Sequence, residues 1–329
     1  MARLARQPAL GLAGVLLVVP VAVLLGAGLG SLERSLLVLG PYSTFALPVI
    51  AMVAFWWEDR PGTTLRAPLL GLSDTLLVAA CGVVLTIAAQ ALVSHAFPAT
   101  MALGGAIFTV MLQLTLVAEG APLRRLARVP GGLAALAVAW VGGIAIYEAT
   151  VPTGLLGAGE LGSALVCVGE VQVVVYVVLQ GRPFAVIGRP AVRRAVANVV
   201  VVACGCLADV GLAVGVGLAP LTIAAAAGSV VAGGLVVGML FEGWLDSAAL
   251  SLVAVGAVSA VLYIGLQRVA DSAGWTRAEP EAWTAYAALN AIGAGVILHV
   301  GIGRRWPFSR PARPAPARTP VRRAPRARA

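Results

Sequence analysis

Lysine is absent from this chain, and charged residues of any kind are scarce. Charged residues make up only 11% of the 329 residues, whereas hydrophobic residues make up 60%. A soluble domain has about 25% charged residues, so the composition excludes a water-soluble protein and indicates that the bilayer is the solvent. The alternating segments of about ten residues that are typical of a transmembrane barrel are also missing. The sequence therefore predicts an all-α polytopic membrane protein.

Residues that build catalytic and metal sites are few. The two histidines, His95 and His299, stand far apart, and no spaced set of Cys, His and carboxylate ligands accompanies them. The four cysteines fall inside apolar runs, which argues against disulfides. No Walker or Gly-x-Ser-x-Gly motif is present. We therefore predict no cofactor and no metal, and the sequence gives an enzyme little support.

Ten apolar runs are each long enough to cross the hydrocarbon core, which takes about 20 helical residues. Arg3 and Arg6 precede the first run, as in a signal peptide, but Pro20 interrupts that run and no small-x-small cleavage site follows. We therefore predict that it is retained as a span. The predicted spans lie near 8–28, 35–57, 68–92, 98–118, 130–150, 160–180, 196–216, 218–241, 248–267 and 282–303.

A short corner motif recurs after every second span. Its last position falls at Pro61, Pro122, Pro183, Leu245 and Pro307, which are 61, 61, 62 and 62 residues apart. Two spans with their loops need about that length. The spacing predicts five tandem helical-hairpin repeats of about 61 residues within a transmembrane domain of residues 1–303. The repeats lie near 1–61, 62–122, 123–183, 184–245 and 246–307.

The corner motif has a structural and a functional interpretation. A proline ends a helix, and a glycine shortly before it favours the left-handed conformation of a helix C-terminus. Trp244 and Trp306 suit the membrane interface. Alternatively, a ring of carboxylates attracts ions to a mouth, although two of the five corners lack an acid. The corner residues in that position are Glu58, Glu119, Gln180, Glu242 and Arg304.

Arginine placement predicts the orientation. Twenty of the 23 arginines fall at the termini or in the loops that carry the corners, so the positive-inside rule places both termini in the cytoplasm of a cell-membrane protein. The tail, residues 304–329, contains nine arginines and no acid. We predict that it is disordered and binds anionic lipid head groups. A protein partner is left open, and nucleic acid is not expected, because no aromatic residue follows Phe308.

Polar residues inside the spans are the site candidates. Glu170 stands halfway along the sixth predicted span, where a charge costs about 2.5–3.5 kcal/mol and is often functional. Amide hydrogen bonds that join helices are the alternative role for the other polar residues. The transport or binding candidates are Glu170, Gln172, Tyr176, Gln113, Asn290 and Asp209.

The sequence favours a transporter or channel-like permease for a small ion or polar solute, with a path along the repeat axis. In that interpretation Glu170 binds the solute, and residues such as Gln113 and Asn290 line the route. A membrane scaffold or assembly partner is the second hypothesis, with polar residues that only join helices. An enzyme that modifies a lipid is the third, and the missing catalytic motifs count against it.

Overall fold

The computed structural model describes residues 6–28, 30–58, 62, 65, 69–93, 99–276 and 278–308. Within these residues the chain forms helices and no strand, and ten helices are long and apolar enough to span a membrane. The prediction of an integral membrane protein with ten spans is confirmed. In chain order α1 to α10 are Ala9–Ala27, Leu32–Trp56, Leu69–Leu92, Ala99–Val117, Arg128–Thr150, Ala158–Val178, Pro190–Val216, Pro220–Leu240, Ala248–Asp271 and Pro280–Ile302.

Burial separates the helices into two sets. Between 50 and 78% of the apolar stretch of each even-numbered helix is buried, against 11 to 28% for the odd-numbered helices. Each even-numbered helix contacts two others, in the order α2, α4, α6, α8, α10 and back to α2. The even-numbered helices therefore form a closed inner ring. The odd-numbered helices form an outer layer whose exposed apolar side chains face the lipid.

Each outer helix packs mainly on the inner helix that precedes it in the chain. Helix α3 lies on α2, α5 on α4, α7 on α6 and α9 on α8, while α1 lies on α10. The predicted hairpin boundaries instead group each inner helix with the outer helix before it. The two helices that a corner connects, an inner helix and the outer helix after it, therefore contact each other more extensively than the two helices of one predicted hairpin.

Three glycines bring outer helices against inner backbones. A Cβ atom added at Gly143 in α5 would lie 2.6 Å from the backbone nitrogen of Ile107, and one at Gly205 in α7 would lie 2.7 Å from that of Val168. Gly82 in α3 meets its inner neighbour at 3.1 Å, on the side chain of Ala46. Such close approach is typical of small residues between membrane helices. These glycines are 61 and 62 residues apart.

Glycines four residues apart, a spacing typical of closely packed membrane helices, do not all contact a neighbouring helix. Gly234 and Gly238 in α8 do pack against α6, where added Cβ atoms would lie 2.7 and 2.8 Å from Val173 and Val177. Gly211 and Gly215, by contrast, are exposed and have nothing within 4 Å. Sequence spacing alone does not show which face of a helix meets protein.

The corners end their helices in a way the sequence does not reveal. Every inner helix finishes with a short π-helix, in which the backbone bond skips one residue further than in an α-helix. The π-helices are Met52–Trp56, Gln113–Val117, Val174–Val178, Val236–Leu240 and Leu298–Ile302, whose first residues are 61, 61, 62 and 62 residues apart.

Left-handed residues follow these π-helices. Glu58, Glu119 and Gln180 have φ values of 50°, 53° and 54°, and Gly120 and Gly181 continue the left-handed turn at 74° and 70°. Gly243 in the fourth corner has a φ of 71°, so the predicted left-handed glycine is confirmed at three corners. The predicted role of proline is corrected at the described corners, because the helix has already ended when the chain reaches Pro122, Pro183 or Pro307.

Two predictions concern residues that the structure does not describe. Pro61, in the first corner, lies outside the described residues, and so does most of the tail, residues 309–329. The corner residues Trp244 and Trp306 are described, and they are 46% and 55% exposed, as suits side chains at an interface.

Candidate functional site

A cavity lies at the centre of the inner ring. All five inner helices line it. Its volume, measured as the space open to the centre of a water molecule, is about 100 Å³. One buried water needs only about 10–15 Å³ on that measure. The inner ring therefore encloses room for more than a single water molecule.

Equivalent positions of the five inner helices line this cavity in layers. Two layers are complete, with one residue from each helix, and in both the residues are 61, 61, 62 and 62 positions apart. The first layer is Thr44, Gly105, Val166, Gly228 and Asn290. The second layer is Leu47, Phe108, Gly169, Val231 and Gly293.

The cavity wall is apolar toward the corners. Two further sets of lining residues, each from four inner helices, are all aliphatic, aromatic or thioether side chains. They are Leu112, Val173, Leu235 and Ile297, followed by Phe55, Leu116, Val177 and Met239. No charged side chain is found among the described residues that line the cavity. Such a wall offers an ion nothing to replace its hydration.

A small polar group interrupts the apolar wall. The side-chain nitrogen Nδ2 of Asn290 donates to Oγ1 of Thr44 over 2.8 Å, and that hydroxyl donates to the carbonyl of Gly40 over 2.8 Å. Thr109 and Tyr286 also line the cavity. A few placed polar groups in a mostly apolar pocket are typical of small-molecule sites, where they orient the ligand.

Glu170 does not line the cavity, although its neighbour Gly169 does. Adjacent residues on a helix point about 100° apart, so the two side chains leave α6 in different directions. Glu170 is half-buried, and both Glu170 and Asp209 on α7 lie near Cys167. Glu170 and Asp209 thus belong to the junction of α6 and α7 and not to the centre of the ring.

Gln113 and Gln172 join helices instead of lining a route. Nε2 of Gln172 donates to Oε1 of Gln113 over 2.6 Å and to the carbonyl of Thr109 over 3.2 Å. Nε2 of Gln113 donates to the carbonyl of Asn198 on α7 over 3.2 Å. These contacts match the alternative of interhelical amide bonds. Tyr176 stacks on Phe184, with ring centres 6.4 Å apart. Of the six candidates, Asn290 is the one that lines the cavity.

The three corner glutamates are each engaged by an arginine. Glu58 pairs with Arg128 at 2.9 Å, Glu119 with Arg193 at 2.6 Å, and Glu242 with Arg305 at 3.0 Å. The first two pairs connect a corner to the first turn of an outer helix. These contacts favour the structural interpretation of the corners over an ion-attracting mouth. Among the described residues no group of His, Cys, Asp and Glu could hold a metal ion.

Two kinds of residue that the structure singles out escape sequence reasoning. The lining glycines, such as Gly105, Gly169 and Gly228, carry no chemistry of their own, although the 61-residue register would have aligned them. Asp74 in α3 is fully buried, and its Oδ1 accepts a bond from the backbone nitrogen of Gly62 over 2.8 Å. Its position in an apolar run was the available signal.

Comparison of the chain with protein-family models, with curated proteins and with solved structures finds no match.

Proposed function

We propose that this protein is a permease of the cell membrane whose solute-binding site is the cavity of the inner ring. The observation that carries the proposal is the pair of complete lining layers, in which each inner helix contributes one residue at equivalent spacing. A path along the ring axis passes through both layers. Such a path agrees with the general occurrence of ligand sites between helices of a bundle.

The solute is small and largely apolar. The described lining residues include Leu47, Phe108 and Val231 but no acid or base, and an uncompensated ion in such surroundings is expensive. Asn290 and Thr44 can orient one polar group of the solute. This solute class replaces the ion or polar solute that the sequence alone favours, because Glu170, on which that hypothesis depends, does not line the cavity.

Five tandem repeats around one axis account for the regular spacing. The π-helices, the lining layers and the close-approach glycines all recur at intervals of 61 or 62 residues. Repeats with the same orientation are related by an axis along the membrane normal. With both termini in the cytoplasm, the five corners face the same side as the arginine-rich tail, which binds anionic lipids there.

A scaffold without a solute is the second candidate. The amide bonds among Gln113, Gln172 and Asn198 favour it, since they show polar residues used to join helices. A scaffold leaves the inner ring without a ligand, so occupancy of the cavity distinguishes the two functions.

Photolabelling with a small diazirine-bearing hydrocarbon tests occupancy. The protein in lipid nanodiscs is illuminated with the probe, and labelled residues are mapped by mass spectrometry. We expect labels on cavity residues such as Phe108, Leu165 and Leu289 as well as on lipid-facing residues such as Leu207 and Val214, which are 70% and 82% exposed. Labels confined to the lipid-facing residues would contradict the proposed site and favour the scaffold.

A further inference from the structure

A second pocket, separate from the ring cavity, lies at the end of α4. It is formed where the corner after α4 meets the first turn of α7. Three of its lining residues are arginines and one is a glutamate. The lining residues are Ala118, Glu119, Ala121, Pro122, Arg124, Arg125, Ala191 and Arg194.

Positive charge is in excess in this pocket. Nη2 of Arg193 lies 2.6 Å from Oε1 of Glu119, whereas Nη1 of Arg194 is 4.0 Å from the other carboxylate oxygen. The carboxylate is therefore engaged mainly by Arg193, which leaves Arg124, Arg125 and Arg194 around the pocket. Guanidinium groups that are held together bind an anion well, and their planar donors match the oxygens of a phosphate.

The corner fixes the arginines of the α4 end. Gly120 adopts a φ of 74°, and a Cβ atom there would lie 2.6 Å from Cγ of Arg124. The side chain of Arg124 thus lies across the glycine. A short 3-10 helix, Leu123–Arg125, holds the next arginine in place, with the backbone nitrogen of Leu126 donating to the carbonyl of Leu123 over 2.9 Å.

Exposed apolar side chains directly follow two of the lining residues in the chain. Leu126 follows Arg125 directly and is 49% exposed, and Val192 follows Ala191 and is 46% exposed. A small soluble anion gains no binding energy from these apolar side chains. A phospholipid uses both surfaces, because its phosphate meets the arginines while its acyl chains meet the apolar side chains.

We propose that this pocket is a specific binding site for the phosphate head group of an anionic phospholipid. The site differs from the proposed role of the tail, which depends only on the number of arginines there. It also differs from the other corners, because only here do two adjacent-arginine pairs, Arg124 with Arg125 and Arg193 with Arg194, meet among the described residues. The proposal does not depend on the solute of the inner ring.

A double substitution tests the site. Arg124→Gln/Arg125→Gln removes two lining charges, and Arg182→Gln/Arg189→Gln is its matched control, since Arg182 and Arg189 are exposed on the same side and line neither pocket. Native mass spectrometry then measures binding of phosphatidylglycerol against phosphatidylcholine. Charged hydrogen bonds of this kind are strong enough that we expect phosphatidylglycerol to bind about tenfold more weakly to the pocket variant and nearly unchanged to the control.

Competition distinguishes the two sources of phosphate. Inorganic phosphate at millimolar concentration should not displace phosphatidylglycerol from the wild-type protein, because it lacks the acyl chains. Displacement, or binding of inorganic phosphate without lipid, would overturn the assignment to a lipid. Equal loss of binding in the pocket variant and the control would overturn the specific site. The thermal midpoints of both variants show whether each is folded, and Arg194→Gln repeats the test from the α7 side if the double variant is not.

Discussion

A phenylalanine in place of Gly169 is expected to remove the photolabel from the inner ring while leaving the protein folded. Gly169 lines the cavity, and a Cβ atom there meets nothing within 4 Å. The ring of the new side chain therefore enters the free space. Because one methylene of misfit in an apolar pocket already changes binding about 10–200-fold, we expect labelling of cavity residues to fall by about tenfold or more.

Gly256→Phe is the matched control. Gly256 is also a glycine in the middle of a long helix, α9, and has nothing within 4 Å, but it is exposed to the lipid. Both substitutions raise helix propensity in the same way. We expect Gly256→Phe to keep the cavity labels, and unchanged cavity labels in Gly169→Phe would place the ligand elsewhere.

Alanine in place of Gly143 is expected to destabilise the protein. The added methyl would meet the backbone of Ile107 at 2.6 to 2.7 Å, and a backbone cannot turn aside as a flexible side chain can. Helices α4 and α5 must separate, at a cost of about 1–3 kcal/mol. The measurement is the thermal unfolding midpoint in detergent, followed by tryptophan fluorescence.

The lipid-facing glycine again supplies the control for Gly143→Ala. Gly256→Ala adds the same methyl in open space, so it should be neutral or stabilise by up to about 0.5–1 kcal/mol. A midpoint of Gly143→Ala equal to that of Gly256→Ala would show that the outer helices do not depend on close contact with the inner ring.

Hydropathy is enough to predict the ten spans but not which helices are inner. Every span must be apolar, whether its neighbours are lipid tails or other helices, so α2 and α3 look alike in composition. The difference lies in contacts between distant parts of the chain, such as Gly82 against Ala46. The corners, by contrast, can be recognised from the sequence, because each one is a short motif of neighbouring residues.

The conformation of the corners could not be predicted from local rules. Residues other than glycine rarely adopt positive φ, yet Glu58, Glu119 and Gln180 do so. The backbone of the preceding π-helix and the turn that follows hold them there. The backbone nitrogen of Gly120, for example, donates to the carbonyl of Leu114 over 2.8 Å, and that of Gly181 to Val175 over 2.8 Å.

Glu170 and Gly169 show that side-chain chemistry and cavity geometry favour different candidates inside a membrane. An ionisable residue in a span, such as Glu170, is a functional candidate because burying its charge is costly. The neighbouring Gly169 has no such chemistry to make it a candidate. In the folded ring Gly169 lines the cavity, and because it has no side chain it leaves part of that cavity open. Asn290 satisfies both criteria, because it is polar and lines the cavity.

Thiol labelling at two adjacent positions tests the apolar inner ring most directly. In a chain without its four native cysteines, Gly169→Cys and Glu170→Cys are compared with a loop control, Val186→Cys, at a position that is 88% exposed. A small uncharged methanethiosulfonate and a charged, impermeant one are used in parallel.

An apolar site in the ring predicts that the uncharged reagent modifies Gly169→Cys and that an excess of unreactive hydrocarbon slows this reaction. The charged reagent should modify only Val186→Cys. Rapid modification of Glu170→Cys by the charged reagent, with no effect of hydrocarbon at Gly169→Cys, would contradict the apolar site and show an aqueous route beside Glu170.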